Sequence, residues 1–447
     1  MTFKFGKTER LVVALLAGSI GLLGCGGSSN GNPLPEPGPS DAAITVSPAN
    51  FDFGVVTDGN VGGLPAGIFT ISNAGETSYE ITDIALDGDD STAFTLDETG
   101  GNAPCNQRVF TLEPGDSCTV AVSFDPQSSG IFTAALSVFN NEPPGLVTSR
   151  ITGTFEDVEE LNVTVNQINA CPRSPALAFV SVTDQGGFPI RGLTTTDFTI
   201  EELGIGGESN PADARSVVDS DSNLALSIVM DYSGSITNDP ATVSNMEEAA
   251  AVLVDAMRAT DTADIIKYAD EVRCMLEEGF DCSLAAGITP DQARLRAAIE
   301  EDSDLERGTA FYDATLVAIE RLKSQDTDRR VVISLTDGED TRSKANADDT
   351  VAGAIDTDIP VFTVGFGNVD VATLQRIAGD TGGLFYNPAA SDNLNQVYQQ
   401  LANLLFRDQY VIDFDSAVPE GGSASLVVKA AFEDFEEEGS KNIQTCP

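Results

Sequence analysis

The chain has 447 residues, of which 41% are hydrophobic and 21% charged, so it is globular and long enough for several domains. Its 70 acidic against 24 basic residues give a formal net charge of -46, which repels nucleic acid and anionic lipid and attracts cations and basic partners. The sequence contains no histidine, which excludes Ser-His-Asp and Cys-His catalysis and any His-ligated zinc or haem site.

Residues 1–24 have the features of a targeting segment. Basic residues among the first ten precede an apolar stretch that is too short for a comfortable transmembrane helix. The stretch ends in LLGC, which resembles a bacterial lipobox and implies that Cys25 is lipidated after cleavage. Residues 25–42 are rich in Gly, Ser and Pro, as a tether would be. The resemblance implies an outer-membrane lipoprotein of the bacterial cell envelope, facing either the periplasm or the exterior; a plain secretory signal is the alternative.

The remaining cysteines are also typical of an exported protein. Without Cys25 there are six, and an even number in such a chain indicates disulfides. Six cysteines allow about 15 pairings. Sequence proximity favours the pairs Cys105 with Cys118, Cys274 with Cys282 and, by remainder, Cys171 with Cys446. A metal-thiolate cluster is the poorer alternative, because no CxxC spacing occurs.

Residues 43–155 read as short strands separated by Gly, Pro and Asn. Val120, Val122 and Phe124 alternate with more polar positions, which predicts one face turned toward a core and hence a β-sandwich. The stretches FDFGVV, LEPGDSCTVAVSFDP and ITGTF resemble the Hydin-like immunoglobulin module that is called choice-of-anchor D in bacteria. The resemblance implies a spacer or adhesion module without a site of its own.

Two further segments, residues 156–222 and 407–447, also carry strand patterns. Val180 and Val182 alternate before a DQGG turn, and the runs QYVIDF and ASLVVKA are separated by a PEGG turn. The two segments are predicted to form one β-domain into which the region between them is inserted. A bond between Cys171 and Cys446 would hold its ends together.

Residues 223–406 change to apolar runs that alternate with helical periodicity, which predicts an α/β domain with a doubly wound, Rossmann-like open sheet. Leu224–Met230 reads as a buried parallel strand. Ser244 and Glu247 are spaced as a capping box, which places the start of the next helix at Ser244.

Three segments of this region carry oxygen-bearing side chains to places where ligands bind in such sheets, beyond the carboxyl ends of the strands. The segments are MDYSGS, RGTAFYDAT and LTDGEDTRS, and their candidate ligands are Asp231, Ser233, Ser235, Thr309 and Asp337. Hard divalent cations prefer carboxylate, hydroxyl and water oxygens. The set therefore predicts a divalent cation, with Mg²⁺ expected and Ca²⁺ or Mn²⁺ as alternatives.

Together the three segments resemble the von Willebrand factor type A domain and its metal-ion-dependent adhesion site. By this resemblance, Ser233 and Ser235 bind the ion directly, whereas Asp231 and Asp337 act largely through water. Thr309 joins or leaves the coordination shell with the conformation. The sixth coordination position is left for an Asp or Glu of a partner.

The sequence therefore predicts an envelope-anchored binding protein rather than an enzyme. Its partners would be a protein that presents Asp or Glu and, through the lipid anchor, a membrane, but no nucleic acid. One alternative is an envelope scaffold in which the metal is purely structural. A metal-assisted hydrolase is the other alternative, which the resemblance disfavours because the family consists overwhelmingly of binding modules.

Overall fold

The computed structural model describes residues 43–57, 66–126, 129–141, 145–170, 175–283, 285–302 and 308–445. The predicted targeting segment, the tether and Cys25 lie outside the described residues, as do Cys171 and Cys446. No helix within the described ranges is both long and apolar enough to cross a membrane.

Within the described part of residues 43–156 two sheets face each other. The strands are β1 (Ile44–Ser47), β2 (Asn50–Thr57), β3 (Gly67–Asn73), β4 (Tyr79–Asp87), β5 (Phe94–Asp97), β6 (Phe110–Leu112), β7 (Ser117–Phe124), β8 (Gly130–Asn140) and β9 (Leu146–Glu156). One sheet has the order β1-β3-β7-β5 and the other β2-β9-β8-β4-β6. Phe69, Val120 and Leu136 are fully buried in one shared core, so the region is a β-sandwich. A disulfide joins Cys105 to Cys118, one of the pairs that proximity favours.

The next segment contributes strands to a second β-structure. They are β10 (Asn162–Asn169), β11 (Ala176–Thr183), β12 (Phe198–Glu202) and β13 (Asp213–Ser216). Every residue of β11 is buried, because its two faces belong to different clusters: Val180 lies in the core of the β-domain, whereas Phe179 packs with Val217. The alternation expected around Val180 therefore does not mark a solvent-facing side.

The α/β region follows. Its elements are β14 (Leu224–Asp231), α1 (Gly234–Thr237), α2 (Pro240–Ala256), β15 (Thr262–Tyr268), β16 (Val272–Cys274), α3 (Gln292–Glu300), α4 (Phe311–Lys323), β17 (Arg329–Thr336), α5 (Ala347–Thr357), β18 (Val361–Gly365), α6 (Val371–Thr381), β19 (Phe385–Tyr386) and α7 (Leu394–Asn403). The sheet order is β16-β15-β14-β17-β18-β19. All neighbours are parallel except β15 and β16. Cys274 forms a disulfide with Cys282 at this edge of the sheet.

The start predicted for helix α2 is wrong. The helix begins at Pro240, four positions before Ser244, because the Asp239 side chain accepts a hydrogen bond from the Ala241 amide at 3.2 Å and proline suits the first helical position. Ser244 and Glu247 therefore lie inside the helix. Glu247 accepts a hydrogen bond from the Tyr232 hydroxyl instead of capping.

The last segment completes the sheets that β10–β13 began. Its strands are β20 (Tyr410–Phe414), β21 (Ser423–Phe432) and β22 (Phe435–Gln444). The orders are β10-β11-β20-β13 and β12-β21-β22, so strands from both sides of the α/β region share two sheets. Burial of Phe198, Ile412 and Val428 between them forms the core of this β-domain.

Candidate metal centre

The first part of the site is the turn from β14 into α1. All eight residues of β14 are buried between β15 and β17, so the strand is held by apolar packing and sheet hydrogen bonds and carries Asp231 to its carboxyl end. The Ser233 amide donates to Asp231 Oδ1 at 2.7 Å. Helix α1 begins at the next residue, Gly234. The chain therefore reverses within a few residues and brings Ser233 and Ser235 back toward the strand end.

Asp337 enters from the neighbouring strand, directly after β17. Its Oδ1 accepts hydrogen bonds from Ser235 Oγ at 2.7 Å and from Ser233 Oγ at 3.4 Å. The two serine hydroxyls lie 3.1 Å apart. Two hydroxyls and two carboxylates from two loops therefore converge at one edge of the sheet.

Asp231 is the most deeply placed group of the site. Its side chain is fully buried, and its Oδ2 accepts a hydrogen bond from Thr336 Oγ1 at 2.8 Å. Burial raises the pKa of Asp231 to about 6, and the nearby Asp337 adds to the rise. Burial also raises the pKa of Asp337. Neither carboxylate forms an ion pair with any described Lys or Arg, so the site has a deficit of positive charge.

Thr309 lies at the same edge but is less closely joined to the others. The Ala310 amide donates to the carbonyl of Ala269, just beyond β15, at 2.7 Å. The Thr309 carbonyl accepts from the amides of Thr341 and Arg342 at 2.9 and 3.0 Å. Within the described chain the Thr309 side chain forms no hydrogen bond to Ser233, Ser235 or Asp337. Hydrogen bonds thus link four of the five predicted ligands to one another. Thr309, the fifth, is placed at the same edge by backbone hydrogen bonds of residues 309 and 310.

Two further acidic residues near the site hold its loops. Asp340 accepts hydrogen bonds from the Tyr312 amide at 3.1 Å and from the Ser343 hydroxyl at 2.6 Å. Asp313 accepts from the amides of Lys344 and Ala345 at 3.0 Å. Both carboxylates therefore fasten residues 340–345 to the start of α4.

Sequence reasoning missed the residues beneath the β14–α1 turn. Lys267 is fully buried in β15, and its Nζ donates to the carbonyls of Ile299 and Glu301 at 2.6 Å each. Nζ also lies 4.4 Å from the centroid of the Tyr232 ring, and burial lowers the pKa of Lys267 to about 8. The Tyr232 hydroxyl in turn donates to Glu247 at 2.7 Å. Tyr232, which lies between Asp231 and Ser233 in the turn, is therefore held in place by Glu247 and Lys267. The signal was present, since a lysine inside the apolar run ADIIKYA needs a buried partner.

The donors fit a hard divalent cation. Asp231, Ser233, Ser235 and Asp337 offer only oxygen atoms, and the two carboxylates lack a positive partner that a cation would supply. The described residues contain no group of three or more His, Cys, Asp or Glu side chains that could hold a metal. The site differs from such clusters because hydroxyls take the place of further acids.

Comparison with known proteins identifies the domain that carries this site. Residues 226–400 match the family model of the von Willebrand factor type A domain. This part of the chain, a six-stranded sheet with helices on its faces, is therefore a von Willebrand factor type A domain within a larger, mostly β-structured protein. No curated protein shows significant similarity to the chain.

Solved structures resemble the chain at low sequence identity. A von Willebrand factor type A protein from Catenulispora acidiphila is 13% identical over 64% of this chain and 73% of that one, with a TM-score of 0.37. Proximal thread matrix protein 1 from the mussel byssus, with a zinc-occupied MIDAS motif, is 18% identical over 45% of this chain and 49% of that one, with a TM-score of 0.37. The match thus spans about half of the mussel protein. The corresponding domain of the type V pili tip protein from Porphyromonas gingivalis is 10% identical over 41% of this chain and 95% of that one, with a TM-score of 0.34.

Proposed function

We propose that the chain is a lipid-anchored protein of the bacterial cell envelope whose type A domain coordinates a divalent cation, with Mg²⁺ as the expected ion, and uses it to bind an Asp or Glu of a protein partner. The observation that carries the proposal is the buried carboxylate of Asp231, which meets Asp337 without a basic partner. A cation at this point would neutralise both groups. Binding, without turnover, is the proposed activity.

The hydroxyl groups explain why the ion would keep affinity for an external ligand. A bound cation supplies Lewis acidity, and hydroxyls withdraw less of its charge than carboxylates would. The hydroxyls of Ser233 and Ser235 donate their hydrogens to Asp337 or to each other, so lone pairs on their oxygens remain available to bind a cation. Thr336 and the Ser233 amide hold Asp231 in place. These hydrogen bonds fix the orientation of the Asp231 carboxylate in the site.

Arg342 supports a carboxylate as the partner group. Its exposed side chain packs against Gly308, the neighbour of Thr309, with Cγ 2.8 Å from the position that a Cβ would occupy. The guanidinium forms no ion pair or hydrogen bond with the described residues. An unpaired guanidinium beside the metal centre would attract one oxygen of a carboxylate whose other oxygen reaches the ion. Because the chain as a whole carries a formal charge of -46, the partner is expected to be neutral or basic around its acidic residue.

The other regions are assigned supporting roles in this proposal. The N-terminal β-sandwich is proposed to be a choice-of-anchor D module that acts as a spacer between the lipid at Cys25 and the type A domain. Cys25→Ser should release the protein from the membrane fraction and abolish labelling by a fatty-acid analogue. Unchanged membrane partition of this variant would contradict the anchor without affecting the metal centre.

A capture experiment tests the binding function. The mature chain, immobilised, is exposed to envelope extract in Mg²⁺ or in EDTA, beside Ser233→Ala and the matched surface variant Ser117→Ala. Ser233→Ala removes a hydroxyl without changing net charge. We expect one partner that the wild type and Ser117→Ala retain in Mg²⁺ and release in EDTA, and that Ser233→Ala does not retain. A partner held equally by Ser233→Ala, or in EDTA, would show that the metal centre is not the binding site.

A further inference from the structure

A cleft of about 470 Å³ separates the β-sandwich from the type A domain. Strand β2 forms one wall and helix α7 another, and Phe188, Pro189 and Arg191 of the β-domain also line the cleft. None of its lining residues belongs to the metal centre. It is therefore a separate candidate binding site.

The wall formed by α7 is a row of unpaired amides. Gln396, Gln399, Gln400 and Asn403 all line the cleft and are half-buried. Their spacing places them on one face of the helix. Within the described residues no amide of this row forms a side-chain hydrogen bond. Each offers a donor and an acceptor, so the row can serve a ligand that carries both kinds of group.

The wall formed by β2 is a free sheet edge. β2 is the terminal strand of its sheet and pairs only with β9, in parallel. Every second residue therefore directs its N–H and C=O groups away from β9, and Asn50–Phe53 line the cleft. An edge of this kind is a template for one more strand.

Gly54 sets the distance between the two walls. It has a φ of 73° at the irregularity where the register of β2 shifts, and the amide of Gln396 occupies the space where a Cβ would lie. β2 and α7 thus touch at Gly54. They leave room between Asn50 and Asn403, where the cleft lies.

The floor of the cleft is apolar and its charge is low. Phe51, Phe53 and Phe188 line it, together with two prolines. Asp52 and Arg191 are the charged residues of the lining, and the Asp52 carboxylate already accepts a hydrogen bond from the Gly54 amide at 3.0 Å. With walls that are nearly neutral on a chain of formal charge -46, the site suits a ligand that is uncharged or weakly basic.

We propose that this cleft binds an extended, uncharged or weakly basic segment of another protein, which adds to β2 as a strand while the amides of α7 hydrogen-bond its outer edge. In an extended chain, peptide groups that face the same side recur about every 7 Å. Gln399 and Asn403 are separated by about 6 Å along the helix, close enough for their side chains to reach successive groups. An oligosaccharide could use the amides and the rings but not the strand edge, which favours a polypeptide.

Random dodecapeptides displayed on phage, selected on the full chain in EDTA, provide the probe. EDTA removes any contribution of the metal centre, so failure here is distinguishable from failure of the proposed function. The selected peptide, synthesised with a fluorescent label, is titrated against wild type, the double variant Gln399→Ala/Asn403→Ala and the control Gln375→Ala, which lies on the exposed face of α6. We expect at least tenfold weaker binding by the double variant and no change in the control. Hydrogen exchange of residues 50–53 should slow when the peptide binds.

Several results would overturn the proposal. One such result is a selection that enriches no peptide. Another is a double variant, shown by circular dichroism to be folded, that binds as tightly as the wild type. Binding of glucose or N-acetylglucosamine hexasaccharides in place of peptides, with the same dependence on Gln399 and Asn403, would replace a polypeptide by a glycan. A synthetic peptide of residues 26–42 that binds with this dependence would make the occupant a segment of the chain itself rather than another protein.

Discussion

In the six-stranded sheet of the type A domain, buried charges are paired differently at the two ends of the strands. The end at which the parallel strands begin is called the amino edge, and the end at which they finish is called the carboxyl edge. At the carboxyl edge, Asp231 and Asp337 meet without any described basic partner and face a loop region. At the amino edge, Arg329 is buried at the start of β17 and is covered by the β-domain. The comparison indicates that the buried cation of Arg329 is held by neutral acceptors of the chain itself, although only through Nη1, whereas the buried carboxylates are left for a ligand.

Arg329 is held at the amino edge by hydrogen bonds to residues that follow helix α7. Its Nη1 donates to the Leu405 carbonyl at 2.7 Å and to Gln409 Oε1 at 3.0 Å. The guanidinium lies 5.8 Å from the centroid of the Phe179 ring of β11. Burial lowers the pKa of Arg329 to about 9, and the nearby Arg258 adds to the fall. Its Nε and Nη2 have no hydrogen-bond partner among the described residues.

Strand β10 and the C-terminal hairpin extend this interface. Gln167 accepts a hydrogen bond from the Arg330 amide at 3.0 Å, and Asn169 donates to the Asp328 carbonyl at 2.6 Å. Lys441 of β22 forms an ion pair with Asp358 at 2.9 Å. The type A domain is therefore attached by its amino edge, which leaves the metal centre directed away from the β-domain.

Loss of Arg329 should have the largest effect. Arg329→Ala leaves the Leu405 carbonyl and Gln409 buried without their partner and opens a large cavity. These losses exceed the gain from removing a buried charge, so the free energy of unfolding should fall by about 3 to 5 kcal/mol. Chemical denaturation of the full chain measures it. Arg376→Ala, which removes an exposed ion pair with Asp348, is the matched control and should change stability by less than about 1 kcal/mol. Equal effects of the two variants would contradict the role assigned to the amino edge.

Asp231→Asn should have the next largest effect and the opposite sign. In EDTA at pH 7 the wild type holds a buried anion, and the rise of its pKa from 3.8 to about 6 corresponds to about 3 kcal/mol of destabilisation. Removing the charge should therefore stabilise the metal-free protein while abolishing the response to Mg²⁺. Lower stability of Asp231→Asn in EDTA, measured by the same denaturation, would mean that the charge is already compensated inside the chain.

The same shift predicts a pH dependence. Because the folded pKa of Asp231 lies above its ordinary value, its favourable contribution is complete below about pH 3.8 and is lost as the pH rises through about 6. The stability difference between wild type and Asp231→Asn in EDTA should thus widen from pH 5 to pH 7. Protons compete with the cation for this carboxylate, so Mg²⁺ affinity should weaken below about pH 6. A difference that stays constant over this range would contradict the burial of an ionised Asp231.

The smallest expected effect belongs to the exposed rim of the carboxyl edge. Arg342→Gln should weaken binding of a captured carboxylate partner about two- to fivefold, as expected for an exposed charge pair, while the affinity for Mg²⁺ stays the same. Arg407→Gln, which also removes one exposed positive charge, is the control for net charge. Surface plasmon resonance measures partner affinity, and calorimetry measures Mg²⁺. Equal losses in both variants would assign the effect to the overall field instead of to Arg342.

Much of the α/β region could be predicted because its signals are local. Apolar runs such as Leu224–Met230 and the helical period of residues 311–322 are read directly from the sequence, and the DxSxS loop follows the first strand. The start of α2 is predicted wrongly because two sequence signals compete. Asp239 followed by Pro240 caps the helix, whereas the spacing of Ser244 and Glu247 only resembles a capping box.

The parts that could not be predicted depend on contacts between distant segments. Thr336 and Lys267 support the site from neighbouring strands, and only the parallel register of β14 with β15 and β17 brings them beneath the β14–α1 turn. The free edge of β2 likewise follows from strand order, which no local pattern encodes. Thr309 is the opposite case. Its motif is recognisable in the sequence, but the hydrogen bonds that position it, from the Thr341 and Arg342 amides to its carbonyl, are evident only in the structure.

The uncompensated carboxylates of the carboxyl edge are proposed to hold a divalent cation. Isothermal titration of Mg²⁺ into the full chain at pH 7.5, with wild type, Ser233→Ala and Ser117→Ala in parallel, tests it most directly. We expect one site in the wild type and in Ser117→Ala, and its loss or severe weakening in Ser233→Ala, which carries the same net charge. Equal Mg²⁺ isotherms for all three proteins would contradict it, because the ion would then be bound by the acidic surface at large.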